Sequence, residues 1–159
     1  MLSTFKYKDG ELVEDAEEFR DIKVKKTYYP NAAVKSELTL VNGIPNGISR
    51  DYNETGEIVS SKMYKNGKIL GEGIVDKKGK KQGDWIEYYI NQFSNTDDQN
   101  PTKRALGSYL NGKKNGTWNY YYENGSLEQK GQYNNGKTHG KWKWYYENGS
   151  ILREEEFIK

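Results

Sequence analysis

Residues 116–139, GTWNYYYENGSLEQKGQYNNGKTH, and residues 140–159, GKWKWYYENGSILREEEFIK, lie one over the other at an offset of 24. The overlay sets Trp118 on Trp142, Tyr121 and Tyr122 on Tyr145 and Tyr146, and Tyr133 on Phe157. A fixed period of this size marks an array of small units, each too thin to bury a face alone. The frame recurs towards the N-terminus. Tyr52, Gly56, Ile58, Tyr64 and Asn66-Gly67 stand where Tyr121, Gly125, Leu127, Tyr133 and Asn135-Gly136 stand, and Tyr28, Val34, Leu40 and Asn42-Gly43 repeat the pattern 24 residues earlier.

Two stretches break the frame. Residues 71–82 hold about half a repeat and run into Gly79-Lys80-Lys81-Gln82-Gly83, which resembles Gly136-Lys137-Thr138-His139-Gly140. Gly83 then opens DWIEYY, but the expected tight turn is replaced by a polar insertion over 91–104, so that the unit from Gly83 to Gly116 is 33 residues long. Its Asn, Asp, Ser and Pro content reads as an exposed loop, and such loops on regular scaffolds carry specificity.

Within one unit, Asn124-Gly125 and Asn148-Gly149 sit between aromatic runs and predict two-residue type I′ hairpin turns, because both central residues need positive φ. That register pairs Tyr122 with Leu127, Tyr120 with Gln129 and Trp118 with Gly131. It puts Trp118, Tyr120, Tyr122, Leu127 and Tyr133 on one face, and Thr117, Asn119, Tyr121, Glu128, Lys130 and Gln132 on a polar one. In the last unit Lys143 faces Glu154 and Lys141 faces Glu156. The expected fold is all-β: an elongated single-layer antiparallel sheet of stacked β-hairpins with one aromatic face, spanning 23–159. Residues 1–22 are expected to form an N-terminal cap or irregular segment, with Asp9-Gly10 closing a terminal hairpin and 11–22 reading as a short helix or an irregular acidic stretch.

The recurring G-x-W-x-Y-Y-x-x-N-G-x-L…Y-x-N-G-K-x-x-G, read from Gly116 and again from Gly140, resembles the variant MORN repeat. The arrangement over residues 23 to 159 resembles bacterial proteins of the YwqK-type antitoxin family. The first resemblance implies a β-hairpin array that serves as a protein-binding, and sometimes lipid-binding, surface. The second implies a partner toxin neutralised by direct contact, and neither carries catalytic residues.

Composition narrows the chemistry. The 159 residues carry 25 basic and 23 acidic side chains, a net charge of +2, which argues against a nucleic-acid partner. Only 29 are Leu, Ile, Val or Phe, a content that suggests disorder, but 14 Tyr and 4 Trp offset it by burying wide areas while keeping a polar handle. With no Cys and one His, disulfides and thiolate sites are excluded and a zinc site is disfavoured, so no metal or cofactor is expected. Residues 1 to 20 lack the pattern of a secretory signal, which favours a cytoplasmic protein, although a processed exported form would read the same.

No constellation for catalysis emerges, and a non-enzymatic binding scaffold is the leading reading. His139 lies in a predicted loop without a nucleophile implied nearby. The glycines of Gly71-Glu72-Gly73 and Gly79-Lys80-Lys81-Gln82-Gly83 precede no helical pattern and read as turns rather than phosphate loops. Four glycosylation-like sequons begin at Asn53, Asn115, Asn124 and Asn148, of which three overlap Asn-Gly turns. The ring positions Trp85, Trp118, Trp142, Tyr88, Tyr120 and Trp144 read as the array's own core. With the interleaved Lys113, Lys114, Lys137, Lys141 and Lys143, the same mixture supports the alternative of a membrane-surface or glycan-binding module. Tyr121 and Tyr145 on the polar face, with Asp97 and Asp98 in the insertion, are the candidate contacts for a protein partner.

Overall fold

In the computed structural model the described residues are 21–90 and 101–158, together with the backbone of two short strands, β1 (Tyr7–Lys8) and β2 (Glu11–Leu12). β1 and β2 pair antiparallel as Tyr7↔Leu12 and Lys8↔Glu11, in a sheet of their own. Residues 13–20, on which part of the acidic-segment expectation falls, lie outside the described residues.

The array proper is β3 (Ile22–Tyr28), β4 (Val34–Val41), β5 (Ile44–Tyr52), β6 (Ile58–Lys65), β7 (Lys68–Val75), β8 (Lys81–Tyr88), β9 (Lys103–Leu110), β10 (Lys113–Tyr121), β11 (Leu127–Asn134), β12 (Lys137–Tyr145) and β13 (Ile151–Phe157). These form one open antiparallel sheet of eleven strands in strict chain order, and no helix occurs among the described residues. β9 takes in Lys103 and Arg104, which the sequence reading had included in the insertion.

The register Trp118↔Gly131 and Tyr120↔Gln129 is as the repeat predicts, but Tyr121, not Tyr122, stands opposite Leu127. The reason is the turn. Gly125 N donates to Tyr122 O and Tyr122 N to Ser126 O, both at 2.9 Å, so three residues, Glu123 to Gly125, make the connection. Only Gly125 has positive φ, at 85°, as in a type I turn closed by a glycine bulge, and Gly149 in the next unit has φ 82°. The Asn124 and Asn148 side-chain oxygens are used locally, accepting the backbone N–H groups of Ser126 and Ser150 at 2.9 and 3.0 Å. Type I′ turns occur instead at Asn42-Gly43, Asn66-Gly67, Asn111-Gly112 and Asn135-Gly136, where both residues have positive φ. The same dipeptide thus closes two different turns in this chain.

A single-layer sheet buries tryptophan by a device at the junction between units. Between Asn115↔Ser108 and Asn119↔Leu106, the three residues Gly116, Thr117 and Trp118 face Gly107 alone. Gly116 adopts φ 72°, which bends β10 and tips the Trp118 ring over Gly107, where an added Cβ would overlap the indole. Trp142 covers Gly131 in the same way, and Trp85 covers Gly73, whose added Cβ would stand 2.6 Å from the Trp85 Nε1. Each indole N–H donates to the carbonyl one residue beyond that glycine: Trp85 to Ile74 at 3.2 Å, Trp118 to Ser108 and Trp142 to Gln132 at 3.1 Å. Trp118 thus pairs in register with Gly131 while its ring rests on the other neighbour, Gly107. Tyr109 and Tyr133 stand edge-on between the indoles, at 5.1 Å from Trp118 and 5.0 Å from Trp142.

The aromatic face does not run the length of the sheet, as the uniform array predicts. Directly paired residues share a face, and one row crosses all eleven strands: Lys25, Leu38, Ser49, Lys62, Glu72, Ile86, Leu106, Asn119, Lys130, Lys143 and Glu154. It lies opposite the indoles. Tyr64, two residues from Lys62, is on this face, whereas its repeat counterpart Tyr133 packs among the indoles. The half repeat causes the inversion: it supplies β7 as one extra strand, so every later unit starts in the opposite direction and presents its equivalent positions to the other side. The turns change ends accordingly. The three-residue turns after β3, β5 and β7 share an end with the type I′ turns after β9 and β11.

On the indole side of β3–β7 a polar lock stands in for the aromatic core. Arg50 donates to Glu37 Oε1 at 3.2 Å, to Val75 O at 3.1 Å and to Asp76 O at 3.0 Å, and the Tyr52 hydroxyl donates to Glu37 Oε1 at 2.6 Å. Buried Ser61 accepts the Val75 N–H at 3.0 Å. Gly107→Ala and Gly131→Ala are each expected to lower unfolding stability by about 1–3 kcal/mol, while exposed Lys130→Ala stays within about 0.5 kcal/mol of wild type. Denaturant melts check this; wild-type stability in both glycine variants would refute the indole-on-glycine packing.

Candidate functional site

Two polar sites arise from this framework, one on each face. On the indole face, Glu87 occupies the position that Tyr120 and Trp144 hold in the next two units, each two residues after its tryptophan. Tyr88, assigned to that column from the sequence, corresponds instead to Tyr121, and its hydroxyl donates to Glu72 at 2.6 Å. Glu87 is 8 % exposed. It accepts from Tyr109 at 2.6 Å and from Arg104 at 2.7 Å, with Lys81 at 3.5 Å and Lys114 at 3.6 Å. Burial alone would push its carboxyl up, but the Tyr109 hydroxyl and the Lys114, Lys81 and Arg104 cations hold it below the usual carboxylate range.

The lysines of this cluster belong to the core. Lys114, read from the sequence as part of a surface stripe, holds its ammonium 3.9 Å from the Trp118 ring centre, and Lys81 sits 4.4 Å from that of Trp85. Burial draws Lys114 below its ordinary value against the opposing pull of Glu87. Trp85, Trp118 and Trp142 are at most 2 % exposed, so these rings offer no stacking surface to a glycan or a base.

The opposite face carries an open groove of about 570 Å³ over β6–β10. Ile74, Ile86 and Leu106 form its apolar lining, with Lys62, Glu72 and Asp84 among the charged groups around it. Ser108 donates to Asp84 at 2.6 Å, which fixes one wall. Tyr121 and Tyr145 follow Tyr120 and Trp144 directly in their strands, so they point to this same face, and both are half-buried. The insertion replaces the three-residue turn of the Trp85 unit. Its stem is closed by Tyr89 N to Thr102 O at 2.9 Å, just as Tyr122 N closes on Ser126 O. The Tyr89 hydroxyl donates to Tyr121 O at 2.6 Å, which ties the loop root to Tyr121. Asp97 and Asp98 lie outside the described residues.

Other sequence candidates resolve structurally. Gly71 and Gly73 are not turn residues; they lie inside β7, where β8 leaves no room for a side chain. Gly79 is in the turn after β7 and Gly83 is a bulge residue. His139 is exposed in β12 opposite Gln132. Lys143 and Lys141 face Glu154 and Glu156 as the register predicts, and Lys143–Glu154 forms an ion pair at 2.6 Å. Among the described residues no group of His, Cys, Asp or Glu is placed to hold a metal ion.

The described sheet is thus an open array of hairpins with the indoles packed on one face and a groove on the other. Three segments of the chain, residues 45–66, 114–135 and 138–159, match the family model for the MORN repeat variant. They fall on β5–β6, β10–β11 and β12–β13, which supports reading the array as MORN repeats, and the unmatched stretch between holds the extra strand and the insertion. No curated protein matches the chain significantly. MORN repeats are commonly non-catalytic modules that bind proteins or membranes.

Glu87→Gln is expected to destabilise the fold by about 1–3 kcal/mol near neutral pH, because it leaves the half-buried Lys81 and Lys114 short of a counter-charge. With the folded carboxyl depressed, its contribution is fully present above the unfolded value near 4.3 and is lost as pH falls through the folded value. The stability gap between wild type and Glu87→Gln therefore narrows below about pH 4, which melts across pH measure directly; a gap independent of pH would refute the assignment.

Proposed function

We propose that this protein is a non-enzymatic MORN-repeat scaffold that captures a protein partner on the face opposite the indoles, using Tyr121, Tyr145 and the insertion with its Asp97 and Asp98. The observation that carries the reading is the Tyr89–Tyr121 hydrogen bond, which ties the root of the insertion to an aromatic residue on the face opposite the indoles. A half-buried tyrosine at a rigid strand end, close to an apolar groove with charged walls, has the composition of a protein contact surface. The resemblance to the YwqK-type antitoxin family suggests that the partner is a toxin, held inactive by a scaffold that covers its working surface.

The stem geometry supplies a clean test. Replacing residues 90–101 by Glu-Asn-Gly, the turn that the chain uses at 123–125, preserves the Tyr89–Thr102 closure and is expected to leave the melting profile unchanged while abolishing partner capture. Affinity capture from the native source, with this variant and with Tyr121→Ala plus Tyr145→Ala as controls, should recover one near-stoichiometric protein with wild type alone. If the captured protein is a toxin, wild type but not the shortened variant restores growth when the two are co-expressed. Equal capture by all three proteins would overturn the assigned surface.

A further inference from the structure

The two outer strands of the sheet are chemically opposite. β3 reads Ile22-Lys23-Val24-Lys25-Lys26-Thr27-Tyr28, and β13 reads Ile151-Leu152-Arg153-Glu154-Glu155-Glu156-Phe157. Each pairs on one side only among the described residues, so each carries a row of backbone donors and acceptors with no described strand beside it. Their apolar residues are exposed too: Ile22 by 64 %, Val24 by 52 %, Ile151 by 53 % and Leu152 by 46 %. Like charges opposite one another disfavour β3 on β3 and β13 on β13, while β3 on β13 is complementary.

The repeat phase admits the same junction. Because the sheet has eleven strands, β3 and β13 run in the same direction, and antiparallel addition requires the incoming copy to be turned over about the axis that crosses the strands. The inversion at β7 makes that orientation compatible with the array: the turned-over copy brings β3 beside β13 in the relation that β12 has to β11. By the repeat correspondence, Lys130↔Lys143 becomes Glu154 against Lys26 of the next copy, and Glu155 faces the stretch from Lys23 to Lys25.

A hydroxyl also awaits this neighbour. Tyr29, Tyr89 and Tyr122 each follow an equivalent strand and donate to a backbone carbonyl of the next hairpin, at Tyr52, Tyr121 and Tyr145, over 2.6–2.7 Å. Tyr146 is the fourth tyrosine of this kind, is 51 % exposed, and donates to no carbonyl of a further hairpin among the described residues. The corresponding carbonyl on an incoming β3 is that of Tyr28.

We propose that the chain associates head to tail with itself, β3 of one copy adding antiparallel to β13 of the previous one, with Tyr146 donating across the junction to Tyr28 O. The test is light scattering coupled to size exclusion on the full chain over a concentration series at low salt. Wild type should rise from 18.4 kDa to at least twice that mass, and return towards the monomer at high salt. Glu154→Lys plus Glu155→Lys makes both edges basic, and Lys25→Glu plus Lys26→Glu makes both acidic; each should stay monomeric alone. Mixed in equal amounts the two variants should associate again, since each edge then finds its opposite, which also shows that both are folded. Tyr146→Phe should weaken wild-type association several-fold without changing the monomer's melt. A wild type that stays monomeric throughout, association that survives either charge reversal alone, or a mixture that stays monomeric overturns the proposal.

Discussion

Everything in the aromatic half of this sheet depends on the space beside three glycines. Trp85, Trp118 and Trp142 lie where the Cβ atoms of Gly73, Gly107 and Gly131 would otherwise be, and each closes its N–H on the following carbonyl. That contact lets a single layer bury a large ring with no second sheet or helix to cover it. The left-handed glycine before each tryptophan is the geometric precondition, because only the bulge tips the ring across the strand gap. Tyrosines then fill the intervals edge-on, and Lys81 and Lys114 cover ring faces that water would otherwise reach. The result is a core that passes from strand to strand as a chain of nearest-neighbour contacts, as expected of a repeat array.

The same logic explains why the two halves differ. Before β7 the sheet has no tryptophan, and Arg50 gathers Glu37, Val75 O and Asp76 O into a polar lock on the side where the indoles later appear. Glu87 stands at the boundary, a carboxylate in an aromatic column, where it pairs with the cations that β8, β9 and β10 bring to it. The extra strand that separates the halves also turns the exposed groove and the later tyrosines to one common face, opposite the face on which the indoles pack.

Much of the site was legible as departures from the repeat. The insertion after Tyr89, the half repeat and the alternation that sends Tyr121 and Tyr145 away from the indoles all follow from alignment of the chain on itself. Glu87 was legible in principle as the one acidic residue two places after a tryptophan, but the nearby Tyr88 completed the aromatic pattern one residue out of place. Lys114 looked like a surface lysine because its ring partners, Trp118, Tyr120 and Tyr133, sit on the same strand and the next, and only the folded packing brings them around its ammonium.

The period of 24, the hairpin units, the two intact pairings at Trp118 and Tyr120 and the placement of turns were determined by sequence alone, because turn residues and strand alternation act over a few neighbours. The three-residue form of the Glu-Asn-Gly turn, the glycine on which each indole rests and the inversion of faces at β7 were decided by the tertiary structure. The last two depend on how a strand meets its second neighbour, where bulges shift the register and an added strand reverses direction. Local sequence carries the hairpin; which of its faces looks outward is settled only when all eleven strands are counted.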